Sequence, residues 1–311
     1  MAVILAERRG HTDGSALRFL EMIDSPTPIV LMSRTAGYKF NDELLKLDKY
    51  VLIDYSEYDW NWDLAASGTH IWGRNTANFP QFADSEHYQR FDDFVATHPP
   101  LITFKRELLK RDVSETLVPI DYPCWFRVTP PQSKEDFMRR EIVGLFFWGR
   151  SHEARVKLHA EIWRQASARG YSVCDNLFHF ENFFMEERGE KWVSLWQPHY
   201  GRVEIQRILG INEMSLTSLA LPGAGVKTFR HVESSFSSAM VKYKDELAWA
   251  YPWVGGENCI ECLEGNEIDT VYTAIADKEK LYEIYKNGVA NCAKYETINY
   301  INNYILPLIN Q

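Results

Sequence analysis

Short apolar runs alternate with stretches whose apolar residues recur every three to four positions, and this alternation sets the fold class. Ala2–Ala6 reads as a strand, followed by a turn at Gly10-His11-Thr12-Asp13-Gly14. Ser15–Ile23 carries Ala16, Leu17, Phe19, Leu20 and Ile23 at helical spacing. Thr27–Met32 predicts a buried strand, Asp42–Leu47 a short helix and Tyr50–Asp54 another strand. The β-α-β-α-β order predicts a parallel sheet covered by helices. Trp60–His87 breaks the pattern: it is rich in Trp, Asn, His and Ser and lacks a period. It reads as a long irregular segment carrying function, or as a packed surface loop. Regular structure resumes at Asp92–Val95 and Leu101–Phe104.

The strongest break is Val128–Asp136, whose adjacent prolines and polar run stop both helix and sheet. Beyond it the alternation restarts. Ile142–Trp148 is strand-like, Ser151 suits a helix N-cap, and Glu153–Ala168 reads as a helix ending at Gly170. Tyr171–Cys174, Trp192–Leu195 and Met214–Leu219 read as further strands. Asp277 is placed to cap a helix over Lys278–Lys286, and apolar residues recur at Ile298, Ile301, Ile305 and Leu308. The chain therefore reads as two α/β units followed by a helical tail.

The 311 residues are 45% hydrophobic and 25% charged, a globular composition that excludes disorder. No apolar run reaches the length of a membrane span, and Met1–Leu5 meets Glu7, Arg8 and Arg9 at once, unlike a signal peptide. The net charge of −9 means that any contact with nucleic acid would have to come from a local patch. Five scattered cysteines offer no disulfide framework, and the expected compartment is a reducing cytoplasm. The single C-x-x-C, Cys259 and Cys262, reads as packing, because a zinc site would need a second pair. No metal-spaced cluster, H-E-x-x-H, Walker loop or nucleophile elbow is present in the sequence.

Four stretches could carry chemistry. In Leu145–Lys157 a strand runs into Gly149-Arg150-Ser151 and a capped helix. Free backbone N–H groups with Arg150 and Arg155 could there hold a phosphate, with His152 nearby. The same residues also read as an ordinary βα turn with surface arginines. In Ser218–Val241, Gly223 and Gly225 permit close backbone approach, and Lys227 and Arg230 add charge. Glu233 follows Arg230 by three positions, so the two share a helix face. A carboxylate there can accept two ribose hydroxyls, although a Gly-turn with a solvated ion pair is the reading these residues favour when taken alone. In Asp54–Asp63 the carboxylates of Asp54, Glu57, Asp59 and Asp63 lie among Tyr55, Tyr58, Trp60 and Trp62 just after a strand. Glu57 and Asp54, then Asp59, are the base candidates. In Phe104–Arg111, Lys105, Arg106, Lys110 and Arg111 could meet a phosphate, or form the solvated basic face of a helix. Trp60, His70, Trp72 and Arg74 are weaker acceptor-site candidates.

Gly149-Arg150 and the stretch Gly223–Glu233 together resemble the nucleotide-sugar-binding domain of GT-B glycosyltransferases. FRHVE resembles the exostosin-like branch. FKRELL, PIDYPCW, WGRSHEAR and GAGVKTFRHVE are similar to glycosyltransferase-like sequences of phage and environmental origin. The resemblance implies an α/β fold of two Rossmann-like domains facing across a cleft. It implies an acceptor domain over 1–130, a donor domain over 137–290, and a tail over 291–311 that packs back on the first. It implies transfer of a sugar from a UDP-linked donor held by Gly149, Arg150, Ser151, Arg155, Gly225, Lys227, Arg230 and Glu233, with no metal or other cofactor and no obligate protein partner. The acceptor side would use Lys105, Arg106, Trp60 and His70. A hydroxymethylated pyrimidine in DNA is one acceptor this suggests; a glycan or lipid-linked acceptor, or binding without turnover, are the alternatives. The pair of glutamates eight positions apart found in many retaining members is missing, since Gly225 and Val241 stand eight positions either side of Glu233. Stereochemistry is left open.

Overall fold

The computed structural model describes residues 3–5, 19–32, 40–55, 86–124, 126–140, 142–149, 185–187, 190–197, 212–220, 227–263 and 265–311. The chain divides into two compact units. The first is formed by Met1–Pro123, Glu246–Pro252 and Thr297–Gln311, the second by Cys124–Asp245 and Trp253–Glu296.

The first unit holds a sheet of five parallel strands in sequential order: β1 (Val3–Leu5), β2 (Ile29–Met32), β3 (Val51–Asp54), β4 (Ile102–Lys105) and β5 (Leu117–Pro119). Each parallel step needs a crossover, and α1 (Glu86–Thr97) supplies the one between β3 and β4. Alternation sends Val30, Met32 and Leu52 to one face, where they meet Phe40, Leu44, Tyr50, Phe91, Phe94 and Val95 in a core cluster. Phe94 stacks on Tyr50 with ring centroids 5.4 Å apart. The two C-terminal pieces of this unit pack near the strand ends. Ala248 N–H donates to the Leu108 carbonyl at 2.7 Å and Lys110 N–H to the Glu246 carbonyl at 2.8 Å. Asp121 N–H donates to the Tyr300 hydroxyl at 2.9 Å.

The second unit holds a six-stranded sheet: β6 (Ile142–Gly149), β7 (Met185–Glu187), β8 (Glu190–Gln197), β9 (Ser215–Leu219), β10 (Ala239–Tyr243) and β11 (Ile260–Cys262). The spatial order is β11-β10-β9-β6-β8-β7, parallel except for β7, which pairs antiparallel with β8. Among the described residues its helices are α2 (Lys134–Met138), α3 (Phe229–Ser235), α4 (Glu267–Ala276) and α5 (Lys278–Ala293). Leu145, Leu219, Met240 and Val241 from the strands, with Val232, Ile268, Leu281 and Val289 from the helices, are buried. At the amino edge of the sheet Arg140 donates to the carbonyls of Ser215 and Ser237 and lies 4.6 Å over the Phe137 ring. That guanidinium ties the start of β9 to the turn before β10.

Several expectations are corrected. Asp42–Lys46 is a 3-10 helix capped by Asn41. Glu86 and His87, assigned to the irregular stretch, already lie in α1. The segment Val128–Asp136 does not exclude helix, since Ser133 caps α2 by accepting from Asp136 N–H. The Lys278 helix runs on to Ala293, with Asp277 accepting from Lys280 N–H at 3.0 Å. Glu153–Ala168 and Tyr171–Cys174 lie outside the described residues. Among the described residues no helix is long and apolar enough to cross a membrane.

Candidate functional site

In the second unit the strand order reverses at β6. The strand that follows it in sequence within the parallel set, β8, lies on one side, and the next, β9, lies on the other. Open α/β sheets bind ligands outside the carboxyl ends of the strands at such a reversal, because the two connections leave in opposite directions and open a crevice. Phe146 of β6 is level with Leu219 of β9, and β6 continues to Gly149, which is level with Gln197 of β8. Gly149, at the end of β6, and Leu219, at the end of β9, therefore lie at the carboxyl edge beside the reversal. Arg150, Ser151, Arg155 and Gly225 lie outside the described residues.

Both ends of α3 are held by side-chain hydrogen bonds. Thr228 is the N-cap: its hydroxyl accepts from Arg230 N–H at 3.2 Å, and its own N–H donates to His231 Nδ1 at 3.3 Å. A histidine thus completes a capping box that usually ends in Glu or Gln. His231 is buried, and its pKa is pushed down to about 4, first by burial and further by Lys242 and Lys227, against the pull of Asp245. The ring is therefore neutral at pH 7 and able to accept. At the other end, Asn212 donates to the carbonyls of Glu233 (2.7 Å) and Ser234 (3.3 Å) and accepts from the Ser238 hydroxyl (2.6 Å). These bonds satisfy carbonyls that a helix end would otherwise leave open.

Held in this way, α3 presents Arg230 and Glu233 on one face. Arg230 Nη1 lies 2.5 Å from Glu233 Oε2, with side-chain exposures of 33% and 11%. The three-residue spacing predicts this, and the half-buried setting makes the pair stronger than a solvated one. Lys227 is buried just before the helix. One strand further on, Lys242 is also buried, and its ammonium meets the Tyr243 carbonyl (2.8 Å), Asp245 (3.1 Å) and Glu261 (3.3 Å). No sequence motif assigns a role to Asn212, His231, Lys242 or Asp245; the signals they leave are a lysine inside the apolar run AMVKY and a histidine three positions after a threonine.

The first unit has a second cluster at its carboxyl edge. Asp54 ends β3 level with Lys105, which ends β4. Their charges lie 3.2 Å apart and both side chains are fully buried. Burial lowers the Lys105 pKa, with Asp54 and then Glu107 working against it. Arg106 Nε donates to Glu107 at 2.9 Å, Arg106 also donates to the Tyr122 hydroxyl, and its guanidinium lies 5.3 Å from the Tyr122 ring centroid. Asp121 accepts from Ala250 N–H at 2.7 Å. The solvated basic helix face expected of Phe104–Arg111 is not formed. Lys105 closes a strand, Arg106 and Glu107 lie in a buried turn, and only Lys110 and Arg111, in a 3-10 turn, reach solvent. The structure brings Asp54 and Lys105 together as a buried pair. Glu57, Asp59, Trp60 and His70 lie outside the described residues.

Cys259 and Cys262 are buried on the β11 side of the second sheet, and burial pushes the Cys259 thiol up to about 12. Such thiols serve as packing groups. Among the described residues no group of His, Cys, Asp or Glu is arranged to hold a metal ion.

No protein-family model and no curated protein matches the chain. Solved structures do. A crystal structure of Anabaena HepE in complex with UDP matches over 100% of both chains with a TM-score of 0.51 at 12% identity. TarM matches 96% of this chain and 58% of its own (TM-score 0.42, 12% identity). The C-terminal domain of the glycosyl transferase group 1 protein LpcC from Francisella tularensis matches 57% of this chain and 98% of its own (TM-score 0.32, 14% identity). The fold is GT-B. A GT-B chain has two Rossmann-like domains, which accounts for one mainly parallel sheet in each unit.

Proposed function

We propose that the chain is a glycosyltransferase that moves a sugar from a UDP-linked donor to a hydroxyl acceptor. The observation that carries this reading is the strand reversal of the second sheet. It sets the carboxyl end of β6, which closes at Gly149, beside that of β9, which precedes Lys227, Arg230 and Glu233 in sequence, and this supports a diphosphate site there. The likeness to a structure holding UDP supports the choice of nucleotide.

In this reading Gly149, Arg150, Ser151, Arg155, Gly225, Lys227 and Arg230 surround the diphosphate, and Glu233 takes the ribose hydroxyls. The acceptor oxygen attacks the sugar's anomeric carbon while the bond from that carbon to the phosphate oxygen breaks. Charge builds on the departing diphosphate, and fixed cations stabilise it most where water is excluded. The acceptor proton passes to a carboxylate of the segment after β3. Asp54 is committed to Lys105 in the interior, so Glu57 is the leading base, with Asp59 behind it. Trp60 and His70 would line the acceptor side.

Lys105 and Arg106 each face a carboxylate in a buried setting, so neither is offered to a phosphate. A DNA acceptor thereby loses two cations of the local patch it would need, which favours a glycan or another hydroxyl compound. Isothermal titration with UDP tests the donor half. Binding by the unchanged protein, with a loss of about tenfold or more in Arg230→Ala, is expected from one charge-assisted phosphate contact. Equal affinity in the variant would contradict the assignment. Release of UDP from a UDP-sugar on adding acceptor separates transfer from binding alone.

A further inference from the structure

Glu233 Oε2 already has a strong partner. Arg230 Nη1 donates to it at 2.5 Å from one turn earlier on the same helix. A ribose that presents two neighbouring hydroxyls to a carboxylate uses both of its oxygens, and a guanidinium held on one of them takes up one of its acceptor sites, draws off its charge and crowds the hydroxyl's approach. α3 cannot relieve the competition by shifting, because Thr228 and His231 fix its start and Asn212 and Ser238 fix its end. The Arg230 side chain is one-third exposed on a long stem, whereas Glu233 is mostly enclosed.

We propose that Arg230 makes nucleoside recognition conditional on the diphosphate. This rests on the donor site proposed above. A nucleoside diphosphate offers the guanidinium a doubly charged, bidentate partner in place of the carboxylate. The arginine turns from Glu233 to the phosphates, and both carboxylate oxygens become available to the ribose. A nucleoside without phosphates offers Arg230 nothing, so it must displace the ion pair unaided. The pair thus discriminates donor from free nucleoside by a penalty that only the diphosphate removes, which is specificity by a built-in competitor.

The test is calorimetric titration of the unchanged protein, Arg230→Ala, Glu233→Gln and the double variant with UDP and with uridine. Arg230→Ala should weaken UDP about tenfold or more yet strengthen uridine about three- to tenfold, because the competitor for Glu233 is gone. In the Glu233→Gln background, removing Arg230 should no longer strengthen uridine. Arg230→Met, which keeps the aliphatic stem, replaces the alanine variant if the latter melts early. Uridine affinity that falls or stays constant on removing Arg230, while the unchanged protein binds UDP, overturns this inference and leaves the proposed function standing. Failure of the unchanged protein to bind UDP overturns the proposed function itself.

Discussion

A lysine sealed at the carboxyl end of a strand needs a compensating charge, and Asp54 supplies it to Lys105. Two ions lose their hydration here, and their mutual attraction repays this only while both are present. Asp54→Asn should therefore cost about 3–5 kcal/mol in urea unfolding, whereas Asp54→Leu combined with Lys105→Met should be near neutral. A mild effect from the single change would mean the pair is better solvated than its burial implies. His231 gives a second prediction. Its pKa in the folded chain is about 4, below the ordinary value of 6.5, so the unfolded chain binds the extra proton between these limits. The stability it contributes is fully present above about pH 6.5 and is lost as pH falls through 4, up to about 3 kcal/mol. Unfolding free energies from pH 7 to pH 4 should fall less steeply in His231→Gln than in the unchanged protein. Identical slopes would mean that the imidazole is not buried in its neutral form.

At the scale of elements, the close approach of α5 to the loop before β11 is decisive. A methyl group on Gly288 would meet the Asn258 carbonyl at 2.9 Å, and Asn258 is itself fixed by donating to the Val254 carbonyl and accepting from Val254 N–H. The next turn needs Gly256 at φ +78°, a conformation that side chains disfavour. Gly288→Ala should lower stability by about 1–3 kcal/mol through overpacking against backbone, measured by thermal or urea unfolding. No loss would mean the helix can shift away freely.

This scale also shows what the sequence made legible. Strands buried on both faces, such as Ile29–Met32 and Val51–Asp54, declare themselves by unbroken apolar runs. The stretch Phe104–Arg111 departs from its pattern, since four cations suggest solvent. Of these only Lys105 and Arg106 are buried, and their burial depends on Asp54 and Tyr122, which are distant in sequence. β10 was hidden inside a motif because Lys242 interrupts its apolar pattern, and that lysine is held by Asp245 and Glu261. The spacing of Arg230 and Glu233 was readable in advance. Asn212, which anchors their helix from outside it, was not.

Over the whole molecule, the chain passes between its two units at 123/124, 245/246, 252/253 and 296/297. Each unit is therefore completed by residues far along the sequence, and local pattern alone does not define its limits. The described cysteines Cys124, Cys259, Cys262 and Cys292 are all buried. They should resist a thiol reagent in the native state and react on unfolding. Rapid native labelling of any of them would show that its unit opens readily. The central claim concerns where a nucleotide lies on the second sheet, and a crystal structure grown with UDP tests it most directly. The account predicts the diphosphate at the carboxyl ends of β6 and β9, beside Gly149 and Lys227, with the ribose at Glu233. A nucleotide bound at the amino edge near Arg140, or on the sheet of the first unit, would contradict it.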